Sequence, residues 1–226
     1  MREKRVFYSE LAYVIGIIVL AFGTALLEKA NFGMSMIVAP AYLLHLKISP
    51  YFPFFSFGVA EYVFQGFLLV LLSIVLRKIK FLFFLSFVTA FIYGNILNLF
   101  ISLISFIPFE GIVFQIVFFV FGAIICSFGV SLLFHTYFPP EAYELVVKEF
   151  SQKYNTNIGK TKTIYDFCSC ALAVVLSLCF FGGFVGIGVG TFICAIVNGW
   201  LIGKFSNLLD KYFNFKDALS LRKIIY

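Results

Sequence analysis

Along this chain apolar residues gather into six long runs, set apart by short groups of charged, Gly and Pro residues. Runs of about 18 or more such residues are the signature of membrane-spanning helices: lipid offers no partner to a backbone N–H or C=O, and a helix satisfies its own. The pattern predicts spans at 8–27, 54–76, 81–106, 112–134, 164–181 and 184–203. Two connections, 28–53 and 135–163, are much longer than the others, and each holds a short helical segment. In the first, residues 34–44 are too apolar for a solvated loop and too short to span, which is the profile of a re-entrant segment, with Asn31 or Ser35 available to cap its N-terminus. In the second, Pro139-Pro140-Glu141 opens a helix in the manner expected of Pro and an acidic residue in a first turn. Ala142, Leu145, Val146 and Phe150 form one face of it; Glu141, Glu144, Lys148 and Glu149 lie largely opposite, with Glu144 and Lys148 spaced to pair. Re-entry and a position in the headgroup plane both remain open for this helix.

Composition removes the soluble alternatives, since 62% of the 226 residues are hydrophobic and 12% charged, against roughly half and a quarter in a soluble domain. The expected organisation is a single membrane domain over 1–226, with a C-terminal tail from 206. Arg2, Lys4 and Arg5 before the first run resemble the start of a signal peptide, but that run is long and ends in Glu28-Lys29 without a small-residue cleavage site, so a retained helix is expected. The net charge of +6 sits in short juxtamembrane groups, which suits anionic headgroups and gives no nucleic-acid surface. With the N-terminus inside, every Lys and Arg except Lys29 and Lys47 falls in a cytoplasmic segment, so both termini are expected in the cytoplasm. Cys126, Cys168, Cys170, Cys179 and Cys194 all lie in predicted spans as small apolar residues, with no disulfide framework and no metal site implied.

Compared with itself, the chain repeats. A shift of 106 residues matches Phe22 with Phe128, Gly23 with Gly129, Leu26-Leu27 with Leu132-Leu133, Phe32 with Phe138 and Lys47 with Lys153. A shift of 105 then matches Val70-Leu71 with Val175-Leu176, and Phe87, Ala90, Gly94 and Phe100 with Phe192, Ala195, Gly199 and Phe205; Glu61 falls on Asp166. Each unit, about 8–106 and 112–205, holds three spans. An odd number turns the second unit upside down, so the expected fold is an all-α membrane protein of six transmembrane helices in two inverted-topology repeats, each with a short helix after its first span.

Glu61 and Asp166 are the carboxylates well inside predicted spans, and a charge there is costly enough to mark a functional candidate: a proton or cation site, or a group solvated near a span end. Asn95, Asn98, Asn198, Gln65 and Gln115 offer neutral contacts to a substrate or to neighbouring helices. Gly186, Gly188, Gly190 and Thr191 head the sixth span; with no preceding strand they are not a dinucleotide fingerprint, and they serve either close packing or exposed backbone for a ligand. The short-helix starts near Asn31 and Pro139 are expected to point inward from opposite faces, their dipoles favouring an anion or a substrate carboxylate between them.

Gly23, Pro140-Glu141, Lys162-x-x-x-Asp166 and Gly186-x-Gly-x-Gly-Thr191 together resemble the YczE/YyaS/YitT-type bacterial integral membrane proteins. The resemblance implies this fold and a bacterial cell (inner) membrane location, and names no substrate. The function expected is secondary transport of a small solute or ion, coupled to protons or cations through Glu61 and Asp166; the alternative is a substrate-binding or accessory subunit working with a partner protein, and a homodimer is compatible with either. With His45 and His135 as its histidines, the chain has no histidine-box metal site and no cofactor motif, and no catalytic constellation points to an enzyme.

Overall fold

The computed structural model describes residues 4–78, 80–106, 111–156 and 158–219, without the side chains of 158–160. Arg2, residues 107–110 of the connection between the third and fourth spans, and the tail beyond Leu219 lie outside the described residues. The helices are α1 (Ser9–Ala30), α2 (Ala39–Ile48), α3 (Phe57–Leu76), α4 (Phe81–Ser105), α5 (Ile112–Phe134), α6 (Ala142–Tyr154), α7 (Ile158–Phe181) and α8 (Val189–Tyr212). All but α2 and α6 are long and apolar enough to cross a membrane, and their outer faces carry Phe67, Phe84 and Phe121. The chain is a multi-pass membrane protein.

Local chemistry moves several boundaries from the hydropathy reading. α3 starts at Phe57 because the Ser56 hydroxyl accepts the Val59 N–H at 3.3 Å, the role of an N-cap. Asn31, expected to start the first short helix, instead closes α1 from the left-handed region (φ 54°), its N–H on Glu28 C=O; α2 begins at Ala39 with no side-chain cap. α8 begins within the glycine run, at Val189, and continues past Gly203 to Tyr212, because its more polar end still buries Leu209 against Ala12 and Leu132.

The all-helical expectation gains one addition: β1 (Arg5–Tyr8) and β2 (Phe213–Lys216) pair in parallel, in register from Arg5–Phe213 to Tyr8–Lys216. Phe7 packs on Phe213 and Phe215, and Glu10 accepts the Ala218 and Leu219 N–H groups, so the pairing fastens the start of α1 to the end of α8.

α1 and α5 form the centre. They run antiparallel and approach closely at Gly16, Gly23, Gly122 and Gly129: a Cβ on Gly23 would come within 2.7 Å of Cys126 N, and one on Gly129 within 2.8 Å of Leu20 N. α4 packs on α1 and α8 on α5; α2 lies against α3 and α7, and α6 against α7, α3 and α4. α3 packs along α4, whereas α7 and α8 are splayed with a cleft between them. Both short helices are enclosed. Ala39, Ala41 and Leu43 of α2 are buried, and α6 buries its polar face as well, with Glu144 and Glu149 each under a tenth exposed. Two distant lysines make this tolerable: Lys162 donates to Glu144 at 2.6 Å and Lys80 to Glu149 at 2.6 Å. Among the cysteines, Cys126 and Cys194 are buried and Cys168 and Cys179 exposed, all as free thiols.

Candidate functional site

Glu61 and Gln65, one turn apart on α3, are fully buried. Gln65 Nε2 donates to Glu61 Oε2 at 3.3 Å and to Glu141 Oε2 at 3.1 Å, while its Oε1 accepts the Ala142 N–H at 2.9 Å. The Tyr143 hydroxyl donates to Glu61 Oε2 at 2.9 Å. The start of α6 is thereby tied to α3. It is also tied to α4, where Ser86 and Thr89 donate to the Pro140 and Pro139 carbonyls at 2.7 and 3.1 Å. Two prolines suit this strand of backbone: they carry no N–H that would need a partner in an apolar surround.

A chamber of about 80 Å³ lies beside this junction, between the halves of the chain. Glu141, Tyr143, Glu144, Lys162, Asp166 and Asn198 line it from the second half; Ser35 to Val38, Thr24 and Tyr93 line it from the first. Lys162 Nζ donates to Glu144 Oε1 at 2.6 Å and stands 3.5 Å from Asp166 Oδ1, an ion-pair separation without hydrogen-bond geometry. The chamber meets a wider cavity of about 990 Å³ in the cleft between α7 and α8; Glu144, Lys162 and Asp166 border both.

The electrostatics are one-sided. Four carboxylates, Glu61, Glu141, Glu144 and Asp166, share this region with the ammonium of Lys162. Glu61 Oε1, Glu141 Oε1, Glu144 Oε2, Asp166 Oδ1 and Asn198 Oδ1 are buried with no hydrogen-bond partner, as is the Ser127 hydroxyl. Each of these atoms apart from Asp166 Oδ1, which faces the Lys162 ammonium, leaves about 1–3 kcal/mol of desolvation uncompensated. Burial, and after it the charge of Glu61, push the Glu141 carboxyl well above the usual carboxylate range. The site therefore takes up protons, or presents accepting oxygens to a donor-rich or cationic guest.

The candidates named from sequence divide. Glu61, Gln65 and Glu141 form one cluster, Asp166, Asn198 and Ser35 line the adjoining chamber, and Pro140 is the anchored turn between them. Glu61 and Asp166 do not touch; the first turn of α6 stands between their clusters. Asn95 is exposed and bonds within its own helix, to Phe91 C=O at 2.7 Å. The glycine run packs: Met34 N–H donates to Gly186 C=O at 3.1 Å and Gly190 N–H to Phe32 C=O at 2.9 Å. A Cβ on Gly188 would strike Phe32 C=O, and Thr191, fully buried, accepts the Gly188 N–H at 3.3 Å. Ser35 to Val38, ahead of α2, and Glu141, ahead of α6, line the chamber, and Glu141 brings a carboxylate to the place an anion was expected to fill.

Sequence reasoning did not single out Glu144, Tyr143, Tyr93 or Thr24 as chamber residues, and Lys162 entered only through a motif. Part of the signal was present: Glu141 and Glu144 are three apart and Lys162 and Asp166 four apart, each pair on one helix face. Tyr93, whose hydroxyl donates to Thr24 at 2.9 Å, carried none.

Residues 7–207 match a protein family described as a family of unknown function, DUF6198. The chain is 26% identical over 209 residues, 91% of this chain and 96% of the other, to the uncharacterised protein YyaS of Bacillus subtilis (strain 168). No solved structure matches it.

Proposed function

We propose that the chain, which belongs to the DUF6198 family of unknown function, is a secondary transporter of the bacterial cell membrane whose two inverted halves pass a small solute through the chamber between them. Membership names no substrate, so the support is internal.

A two-fold axis in the membrane plane requires every contact between halves to recur with repeat positions exchanged. At the α1–α5 crossing Gly16 meets Gly129, and Gly23 meets Gly122; the 106-residue shift turns each contact into the other. Leu20 and Cys126 are each other's image, and the Cys126 thiol meets the Leu20 carbonyl at 3.8 Å. Ser86 and Thr89 hold Pro139–Pro140, and Thr191, the image of Ser86, abuts Gly33, the image of Pro139. α2 against α3 and α7 mirrors α6 against α7 and α3.

One relation is broken, and it carries the proposal. The α3–α4 seam is closed by Gly58 on Gly94 and by Tyr62 against Phe91, with ring centroids 5.3 Å apart. The image positions Thr163, Gly199, Phe167 and Ile196 line the α7–α8 cleft instead. Two equivalent seams in two different states describe one end of an alternating-access cycle; exchanging the states closes the cleft and opens α3–α4 on the other side. With both termini placed in the cytoplasm from the Lys and Arg distribution, the open cleft faces inward. Glu61 and Asp166, images of each other beside the chamber, supply proton or cation coupling.

Purified full-length protein in liposomes tests this, with labelled amines, amino acids, carboxylates and sugars offered under an imposed pH gradient or membrane potential. Gradient-driven uptake without a partner protein is expected. Ligand binding with no flux of any class would remove the transporter reading in favour of a binding subunit that needs a partner.

A further inference from the structure

Around the chamber the unpartnered side-chain atoms are acceptors, apart from the Ser127 hydroxyl, which can also donate. Glu141 Oε1, Glu144 Oε2, Asp166 Oδ1 and Asn198 Oδ1 all accept, and no buried side-chain N–H among the described residues is left over. Glu141 and Glu144 are more than nine-tenths buried and border the chamber. The polar need of the site is thus for donors and for positive charge. Lys162 meets part of it from within the chain: its ammonium occupies one oxygen of Glu144 and stands 3.5 Å from Asp166, leaving the other Glu144 oxygen and Glu141 Oε1 unmet. A second ammonium or a guanidinium would supply several N–H groups to these oxygens at once. The approach through the α7–α8 cleft is apolar and aromatic, bordered by Phe134, Phe167 and Trp200, as suits an amine carried on a hydrocarbon chain.

We propose that the chamber binds a small organic cation bearing N–H donors, a primary amine or guanidinium, held by Glu141, Glu144 and Asp166 in partial competition with the ammonium of Lys162. This rests on the chamber being the site of the transported solute. The sign of the Lys162 effect separates it from the anion site that helix N-termini alone suggest: Lys162 opposes a cation and would attract an anion.

The test measures binding by full-length protein in lipid nanodiscs, by calorimetry, with four probes: 1,4-diaminobutane, tetramethylammonium, glutarate and magnesium chloride. 1,4-Diaminobutane binds, and tetramethylammonium, a monocation without N–H, binds at least about tenfold more weakly. Glu141→Gln and Glu144→Gln each weaken the diamine by roughly ten- to a hundredfold. Lys162→Ala tightens it, which also shows that a variant with an altered chamber remains folded and competent. The proposal is overturned if glutarate binds and the diamine does not, if magnesium displaces the diamine at equal affinity, if tetramethylammonium binds as well as the diamine, or if Lys162→Ala weakens the diamine as the Glu variants do. Because binding is read without flux, diamine binding with no transport would count against the transporter alone, and transport of a non-amine against the ligand class alone.

Discussion

At Glu141 three things coincide: a helix start, a carboxylate neighbour on another helix, and burial beside a chamber. Its carboxyl titrates well above the usual range, through burial first and the charge of Glu61 second. The folded state therefore binds this proton more tightly than the unfolded chain does. Stability from it is fully present below the ordinary carboxylate range and is lost as pH rises through the folded value. We expect the apparent Tm of the protein in detergent to fall from about pH 5 to pH 9, and Glu141→Gln to flatten that fall, since a neutral amide has no proton to lose. An unchanged slope would mean that another group governs the pH dependence. At this scale the sequence showed which residues were out of place in lipid, Glu61 and Asp166 above all, because a carboxylate inside an apolar run stands out by itself. It did not show Tyr93 or Thr24, since a Tyr or Thr in a span is unremarkable until folding decides which way it points.

The spans were legible as elements because hydropathy alone dictates them, and their ends were less so because caps such as Ser56 and Asn31 act through single hydrogen bonds. α6 was drawn correctly as a helix, while its polar face was not assigned to the interior: its lysine partners, Lys80 and Lys162, come from other elements. β1 and β2 left no legible trace, being four residues each with partners at opposite ends of the chain. The glycines make the sharpest test of element packing. At Gly23 an added side chain meets Cys126 backbone in the tightest helix crossing, whereas at Gly199 a Cβ would meet nothing within 4 Å. Gly23→Leu should cost about 1–3 kcal/mol by overpacking, read as a lowered apparent Tm and poorer recovery of monodisperse protein. Gly199→Leu should leave stability within about 0.5 kcal/mol yet abolish flux, because a leucine there blocks closure of the α7–α8 seam. Equal loss of stability in the two variants would contradict this description of the cleft.

Across the whole molecule, a dozen positions match at shifts of 105 and 106 residues, and on them rests the proposal that the spans form two halves. Which seam stands open was not readable, because those matches pair α3–α4 with α7–α8 and carry no conformation. On the proposed account, Tyr62 on Phe91 and the cleft between Phe167 and Ile196 are images of each other in different states. The account therefore stands or falls on whether those states exchange. Spin labels at Val63 and Ile92 on the lipid-facing side of α3 and α4, and in a second variant at their images Cys168 and Val197 on α7 and α8, report the two seams without touching the packed rings. Distances measured by pulsed electron resonance in lipid nanodiscs should show two populations for each pair, with conditions from about pH 5 to pH 9 that lengthen the α3–α4 distance shortening the α7–α8 distance. An α3–α4 distance that stays short and single under every condition, whatever α7 and α8 do, would contradict it.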